Sequence, residues 1–219
     1  MISQSQQSPL LIAASGFATV GKDFFCNLLS YKLKELDFYV KRYALADQLK
    51  ADLYFFIKQN FDFDIYSCNA DQKTLIRPIL VEYGRSKRIQ SQGIFWTSII
   101  KKRIKEDKPD IAILNDIRYD QYLQDEVFWV KEKMKGVLVH ISRYELKRKY
   151  EKDSNEYYIE FQDFIKAPNE DEKINDPKLR AKADYKIEVE TAPCKDKIEE
   201  VWLPHINRFI DWLKENNKI

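Results

Sequence analysis

Apolar residues in this chain fall alternately into short unbroken runs and into sets spaced three or four apart. Leu10 to Ala14 is an unbroken run of a length that suits a buried strand. From Lys22 to Leu36 the apolar positions are Phe25, Leu28, Leu29, Leu33 and Leu36, a helical spacing with one face for a sheet. Phe38 to Ala44 is aromatic and β-branched and reads as a second strand. A helix opens at Leu45 and runs to Gln59, and Asn60 to Asp71 forms a loop. The next helix starts at Gln72, with Leu75, Ile76, Ile79, Leu80 and Tyr83 on one side and Gly84 breaking the run. Gly93 starts another, with Ile94, Phe95, Trp96, Ile99, Ile100 and Ile104 as its apolar side and Lys108-Pro109 as its end. Ile111 to Leu114 is a buried strand, 119–134 an amphipathic helix ended by Gly136, and Val137 to Ile141 a further strand. Asp184 to Val189 alternates like a half-exposed edge strand. Lys195 to Glu215 closes the chain as a helix with Pro204 as a candidate kink.

Strand–helix alternation along the whole length predicts a three-layer α/β fold with a parallel sheet of about five strands. The expected layout is one domain over 1–219, with a core of 9–143 and 184–219. Between them, 144–183 is strongly charged and lacks a clean period. It reads as a lid that closes over phosphates, the alternative being a disordered insertion. Arg143 and Arg148 are the cations such a lid would deliver.

Composition narrows the class. A chain of 219 residues with 44% hydrophobic content is long enough for a real core. The 37 basic and 35 acidic residues nearly cancel, so no global field argues for nucleic acid or a membrane surface. The three cysteines lack C-x-x-C spacing and the two histidines are too few for a His-based metal site. Residues 1–8 are polar and uncharged, unlike a signal peptide, and no apolar run approaches a bilayer span. A cytoplasmic protein is expected, in the host cytoplasm if the source is viral. Homodimerisation is left open.

The strongest chemical signal follows the first strand, as Gly16-x-x-x-x-Gly21-Lys22 leading into a helix. This is the phosphate-cradling loop pattern, with Asp23 where Ser or Thr is usual. Glycines allow backbone angles that side chains would block, so successive N–H groups can converge on phosphate oxygens beside a helix N-terminus. Lys22 can then reach between the β- and γ-phosphates. Asp47 reads either as the N-cap of its helix or, with Lys50, as a residue facing a second substrate at the sheet's C-terminal edge. Arg77, Arg85, Lys87 and Arg88, with Glu82 the only acid among them, suggest an anion site, since the arginine fork grips two phosphate oxygens. Trp96 is a core residue or the edge of a nucleobase site. Asn115-Asp116 caps the tip of a buried strand, where an acid serves Mg²⁺ through water or orients an acceptor, and Arg118 can reach the same pocket.

SGFATVGKD, YALADQLK, LIRPILVEYGRSKR with a following FW, NDIRYDQYLQDE and HISR occur in an order that resembles the phage-type deoxynucleoside monophosphate kinases. Animal phosphomevalonate kinases share much of the pattern, and the Gly-Lys-Asp loop ending is a mark of the group. The likeness covers residues 10–145 by motif and the remainder by layout. It implies ATP and Mg²⁺ as cofactors and a small nucleotide as substrate. Gly16, Ala18, Thr19, Val20, Gly21, Lys22, Asp23 and Phe24 would hold ATP phosphates, and Asp23 and Asp116 would act on the metal or its waters. Asp47, Lys50, Arg77, Arg85, Arg88, Trp96, Asp116 and Arg118 would surround the acceptor. Lys22, Asp116, Arg118, Arg143 and Arg148 would carry catalysis. The sequence departs at Phe17-Ala18-Thr19-Val20, which has no cation, and at Glu188 to Thr191, which has no Asn toward the adenine. Phosphomevalonate, a hydroxymethylated base in DNA, and nucleotide binding without turnover are the competing readings.

Overall fold

A computed structural model describes residues 8–151 and 156–219, with side chains described outside 148–160. The elements follow in the order β1 (Leu10–Ser15), α1 (Lys22–Lys34), β2 (Val40–Tyr43), α2 (Leu45–Phe61), α3 (Ala70–Ser91), α4 (Ile94–Asp107) and β3 (Ile111–Ile117). Then come α5 (Glu126–Phe128) with a π turn over Trp129–Lys133, β4 (Val137–Glu151), β5 (Glu156–Phe164), α6 (Glu170–Lys182), β6 (Tyr185–Glu190) and α7 (Ile198–Glu215).

Parallel pairing joins β2 to β3, β3 to β1, β1 to β4 and β4 to β6. The architecture is therefore mixed α/β around a mostly parallel sheet. Beyond Tyr144, β4 leaves the parallel array and pairs antiparallel with β5. The charged stretch expected to lack a period thus supplies a hairpin and α6.

Strand periodicity sorts the core onto two faces. Ile12 and Ala14 of β1, with Ile111, Ile113, Val137 and Val139, pack under α1 and α7. The alternate residues Leu11 and Ala13, with Ala112, Leu114 and Leu138, pack under α4 and the α5 segment through Trp96, Ile100, Val127 and Trp129. Cys26 is buried on the first face, where burial pushes its thiol up to about 12, so it packs and does not react. A smaller cluster of Ile57, Ile65 and Ile76 ties α2 to α3.

Two expectations fail for physical reasons. Gly84 does not break its helix, because α3 runs through it from Ala70 to Ser91. Its missing side chain makes room for a neighbour instead: a Cβ there would lie 2.9 Å from Leu49 Cδ1, and Trp96 Nε1 donates to its carbonyl at 3.2 Å. Nor is 119–134 one helix, since only Glu126 onward is helical. Carboxylates of Asp125 and Glu126 accept from the backbone N–H groups of Arg118, Tyr119, Gln121 and Tyr122, which holds that stretch in a turn. Pro204 lies inside an α7 that continues from Ile198 to Glu215.

Among the described residues, no helix is long and apolar enough to cross a membrane. Phe209 of α7 is fully buried, with its ring 5.8 Å from Phe25 and 4.9 Å from Tyr185. Phe209→Ala should therefore cost about 3–5 kcal/mol, read as a lowered urea midpoint with an unchanged slope.

Candidate active site

The site begins where β1 ends. Register pairs Ala13 with Leu114 and, after an irregularity, Ser15 with Ile117, so the tips of β1 and β3 lie side by side. The segment from Gly16 to Gly21 therefore opens beside Asn115, Asp116 and Arg118. Gly16 has φ +130°, and a Cβ there would collide with the Ile141 carbonyl oxygen of β4. Gly21 has φ +102°, and a Cβ there would lie 2.5 Å from the Trp202 ring. Both positions require glycine. Thr19 is also left-handed at φ +68° and exposed, while Val20 is buried in the α1–α7 core. No side chain caps α1, so its first N–H groups remain open at the loop.

Lys22 is buried, and its ammonium donates to the carbonyls of Gly16 and Phe17, each at 2.7 Å. Burial, aided by Arg118, brings its pKa down to about 8, against Glu172, Asp116 and Asp23, which raise it. Asp23 accepts from Asn115 Nδ2 and stands 3.9 Å from Arg42. The Asn115 Oδ1 atom is buried without a partner. Phe24 packs its ring 5.9 Å from Trp202 and contributes backbone only at the loop's end.

Asp116 has a role the sequence did not suggest. Its two oxygens accept from Leu45 N at 2.9 Å and Ala46 N at 3.0 Å, so it caps α2 from a different strand. Burial raises its pKa against these two amides. Asp47, one alternative for that cap, is exposed in the first turn behind an Ala44 N-cap that makes no side-chain bond. An open strand tip within reach of both amides already satisfies them, so nothing is left for Asp47 to cap.

Next to the loop lies a cavity of about 270 Å³ bounded by α2, α3, α4 and the tip of β3. Arg77, Arg85, Arg88, Trp96, Asp116 and Arg118 line it, and so do Leu45, Leu49, Leu80 and Val81. Asp47 and Lys50 are not part of its wall. The cations are not equivalent. Arg77 and Arg85 are exposed and available, with Arg85 only 3.9 Å from Glu82 as a surface pair. Arg88 is buried and committed: Nη1 donates to Glu126 at 3.0 Å, Nη2 donates to Asp125 at 2.9 Å, and its guanidinium stacks 3.6 Å from the Tyr119 ring. Lys87 turns away onto the rings of Tyr83 and Phe95. Trp96 is core on one side and cavity wall on the other. Burial pushes the Glu126 carboxyl up to about 7, opposed by Arg88 and the N–H groups of Arg118 and Tyr119.

On the opposite flank, Arg118 Nη1 donates to Glu172 of α6 at 3.0 Å, and Ala18 N of the loop donates to the same carboxylate at 2.7 Å. Arg143 lies on β4 opposite Val189, with Nε buried and unpartnered. Arg148 falls on the antiparallel part of β4, and its side chain lies outside the described residues. The residues that sequence reasoning missed are Glu126, Tyr119 and Glu172, together with the aliphatic wall. Glu172 sits in a charged stretch with no periodicity, 154 positions from its loop partner, and nothing local marks it. His140, one of the two histidines, is buried and bonded to Asp176 of α6 at 3.0 Å.

Among the described residues no group of three His, Cys, Asp or Glu side chains could hold a metal ion alone. The donors present are two carboxylates, Asp23 and Asp116, and the orphaned Asn115 oxygen. That set suits a hard cation whose remaining ligands are water and phosphate. No protein-family model matches the chain, and no curated protein matches it.

Arg88→Ala would strand Asp125 and Glu126 as buried carboxylates. A loss of about 3–5 kcal/mol is expected by chemical denaturation. Arg88→Lys should recover little of it, because a point charge cannot bridge both acids.

Proposed function

We propose that this chain is a P-loop-type kinase that transfers the γ-phosphoryl group of ATP to a (deoxy)nucleoside 5′-monophosphate, yielding ADP and the nucleoside diphosphate. One observation carries the reading: a glycine-dependent loop with a buried lysine opens beside a cavity lined by the exposed Arg77 and Arg85 and by Arg118, whose guanidinium is held by Glu172. A polyphosphate on the loop and a monophosphate in the cavity would meet at Arg118. The five-strand parallel order, with the loop after β1 at the centre, supports the same fold reading.

An oxygen of the acceptor phosphate attacks the γ-phosphorus, a new P–O bond forms, and the bond to the ADP oxygen breaks. Both reactants are anions, so alignment and charge neutralisation do most of the work and no histidine base is needed. Lys22 and the loop amides hold the donor's phosphates. Arg118 reaches the cavity from the loop's side and neutralises charge between donor and acceptor. Arg77 and Arg85 hold the acceptor phosphate, with Trp96 and the aliphatic wall enclosing its body. Asp23 and Asp116 are the groups that would hold Mg²⁺ through its waters. When bound, the ion offsets charge on the phosphoryl oxygens. Arg143, whose Nε is buried without a partner, is assigned to the donor side in this reading.

The wall of Leu45, Leu49, Leu80 and Val81 favours one second reading, an aliphatic phosphorylated acceptor such as phosphomevalonate. ADP release measured over a panel of nucleoside monophosphates and phosphomevalonate separates the two. Release with no acceptor in the panel would remove the kinase assignment. Lys22→Ala and Arg118→Ala should each lower kcat by about 10²–10³ with the fold intact by circular dichroism. Near-wild-type turnover in either variant would contradict the role given to it.

The depressed pKa of Lys22 sets a pH dependence. Below pH 8 the ammonium is charged and attracts the polyphosphate; above it the empty-loop lysine is neutral, and ATP binding must take up a proton. The ATP Kd should therefore rise above pH 8, approaching about tenfold per pH unit. Lys22→Met should show a flat profile over the same range in isothermal titration.

A further inference from the structure

We propose that Glu172 is a built-in competitor for the donor polyphosphate, and that it keeps lone inorganic phosphate out of the loop. The proposal rests on the reading of the loop as a polyphosphate site. Glu172 stands in the first turn of α6 and is 8% exposed. One carboxylate oxygen accepts from the Ala18 amide of the loop at 2.7 Å. The other accepts from Arg118 at 3.0 Å and from Asn169 Nδ2 at 3.1 Å. A phosphate on the loop would need the same amide and the same arginine. The carboxylate thus stands where a phosphate oxygen pair would stand, with the charge and the acceptor geometry of one.

This arrangement has an electrostatic reason. Lys22 is buried close to Arg118, whose charge disfavours the lysine's own. Glu172 supplies the largest of the opposing charges that Lys22 senses, ahead of Asp116 and Asp23. Release of Glu172 does not require α6 to leave. Further along the helix, Asp176 is bonded to His140 at 3.0 Å and Lys182 to Asp120 at 2.6 Å. Asn169 caps α6 through the Glu172 backbone N–H at 2.9 Å, which does not involve the carboxylate. Rotation of one side chain opens the amide and frees Arg118. A triphosphate brings several oxygens and several charges to that exchange and wins it. Inorganic phosphate brings too few.

The test is isothermal titration of ATP, inorganic tripolyphosphate and inorganic phosphate into the wild-type chain, Glu172→Gln and Glu172→Asp, each checked for fold by circular dichroism. The wild type should bind ATP and tripolyphosphate but not millimolar phosphate. Glu172→Gln, which keeps the shape and loses the charge, should bind ATP and tripolyphosphate at least tenfold tighter and acquire measurable phosphate binding. Glu172→Asp, too short to reach the loop amide, should fall between the two. Equal or weaker ATP binding by Glu172→Gln would overturn the competitor role while leaving the loop assignment standing. Absence of ATP and tripolyphosphate binding in all three proteins would overturn the loop assignment itself.

Discussion

The parallel pairing of β1 with β3 is the constraint on which the rest depends. Because Ser15 lies opposite Ile117, the chain leaves the sheet at two neighbouring points on the same edge. One exit becomes the glycine-dependent loop and Lys22; the other carries Asn115, Asp116 and Arg118. Ligands of open parallel sheets sit over this edge because strand ends, helix N-termini and unpaired backbone amides collect there. A slip of one residue would turn Asp116 away from the α2 N-terminus and Arg118 away from the cavity. The chemistry is thus a consequence of backbone register before it is a property of any side chain.

That edge concentrates charge, and the surrounding structure is largely a response to it. Asp116 answers the open amides of α2, Asp125 and Glu126 answer Arg88, and Glu172 answers Arg118 and the loop. Each buried carboxylate has its donors, as buried ions must. The arrangement divides the arginines into two kinds. Arg88 spends its fork on building the cavity's floor, whereas Arg77 and Arg85 have no buried acid to satisfy and face the space. Arg118 belongs to both kinds: among the described residues its acid is Glu172, and in the proposed exchange rotation of that one side chain frees it.

What the sequence revealed and what it hid follow from the range of the interactions. Gly16, Gly21 and Lys22 were legible because the angles they need and the strand and helix beside them are local. The gathering of Arg77, Arg85, Trp96 and Arg118 was implied by the resemblance and not by spacing, and one cavity wall does bring the four together. Gly84 misled, because a glycine that ends a helix and one that admits a neighbour look alike until Leu49 and Trp96 are seen to fill the space. Asp47 misled because a cap is sought next to its helix, and here it arrives from Asp116, about 70 positions away. Arg88 was counted among the free cations because its partners lie 37 and 38 positions off. Glu172 left no local trace at all.

In the proposed reading the loop and the cavity are two halves of one cation-lined track meeting at Arg118. The most direct measurement is the affinity of a bisubstrate ligand, a nucleoside 5′-phosphate joined through a polyphosphate to adenosine, against ATP and the monophosphate alone. Adjacent sites in line should make the joined ligand bind at least about 10²-fold tighter than ATP, with the gain lost in Arg118→Ala. A joined ligand that binds no more tightly than ATP would contradict the account.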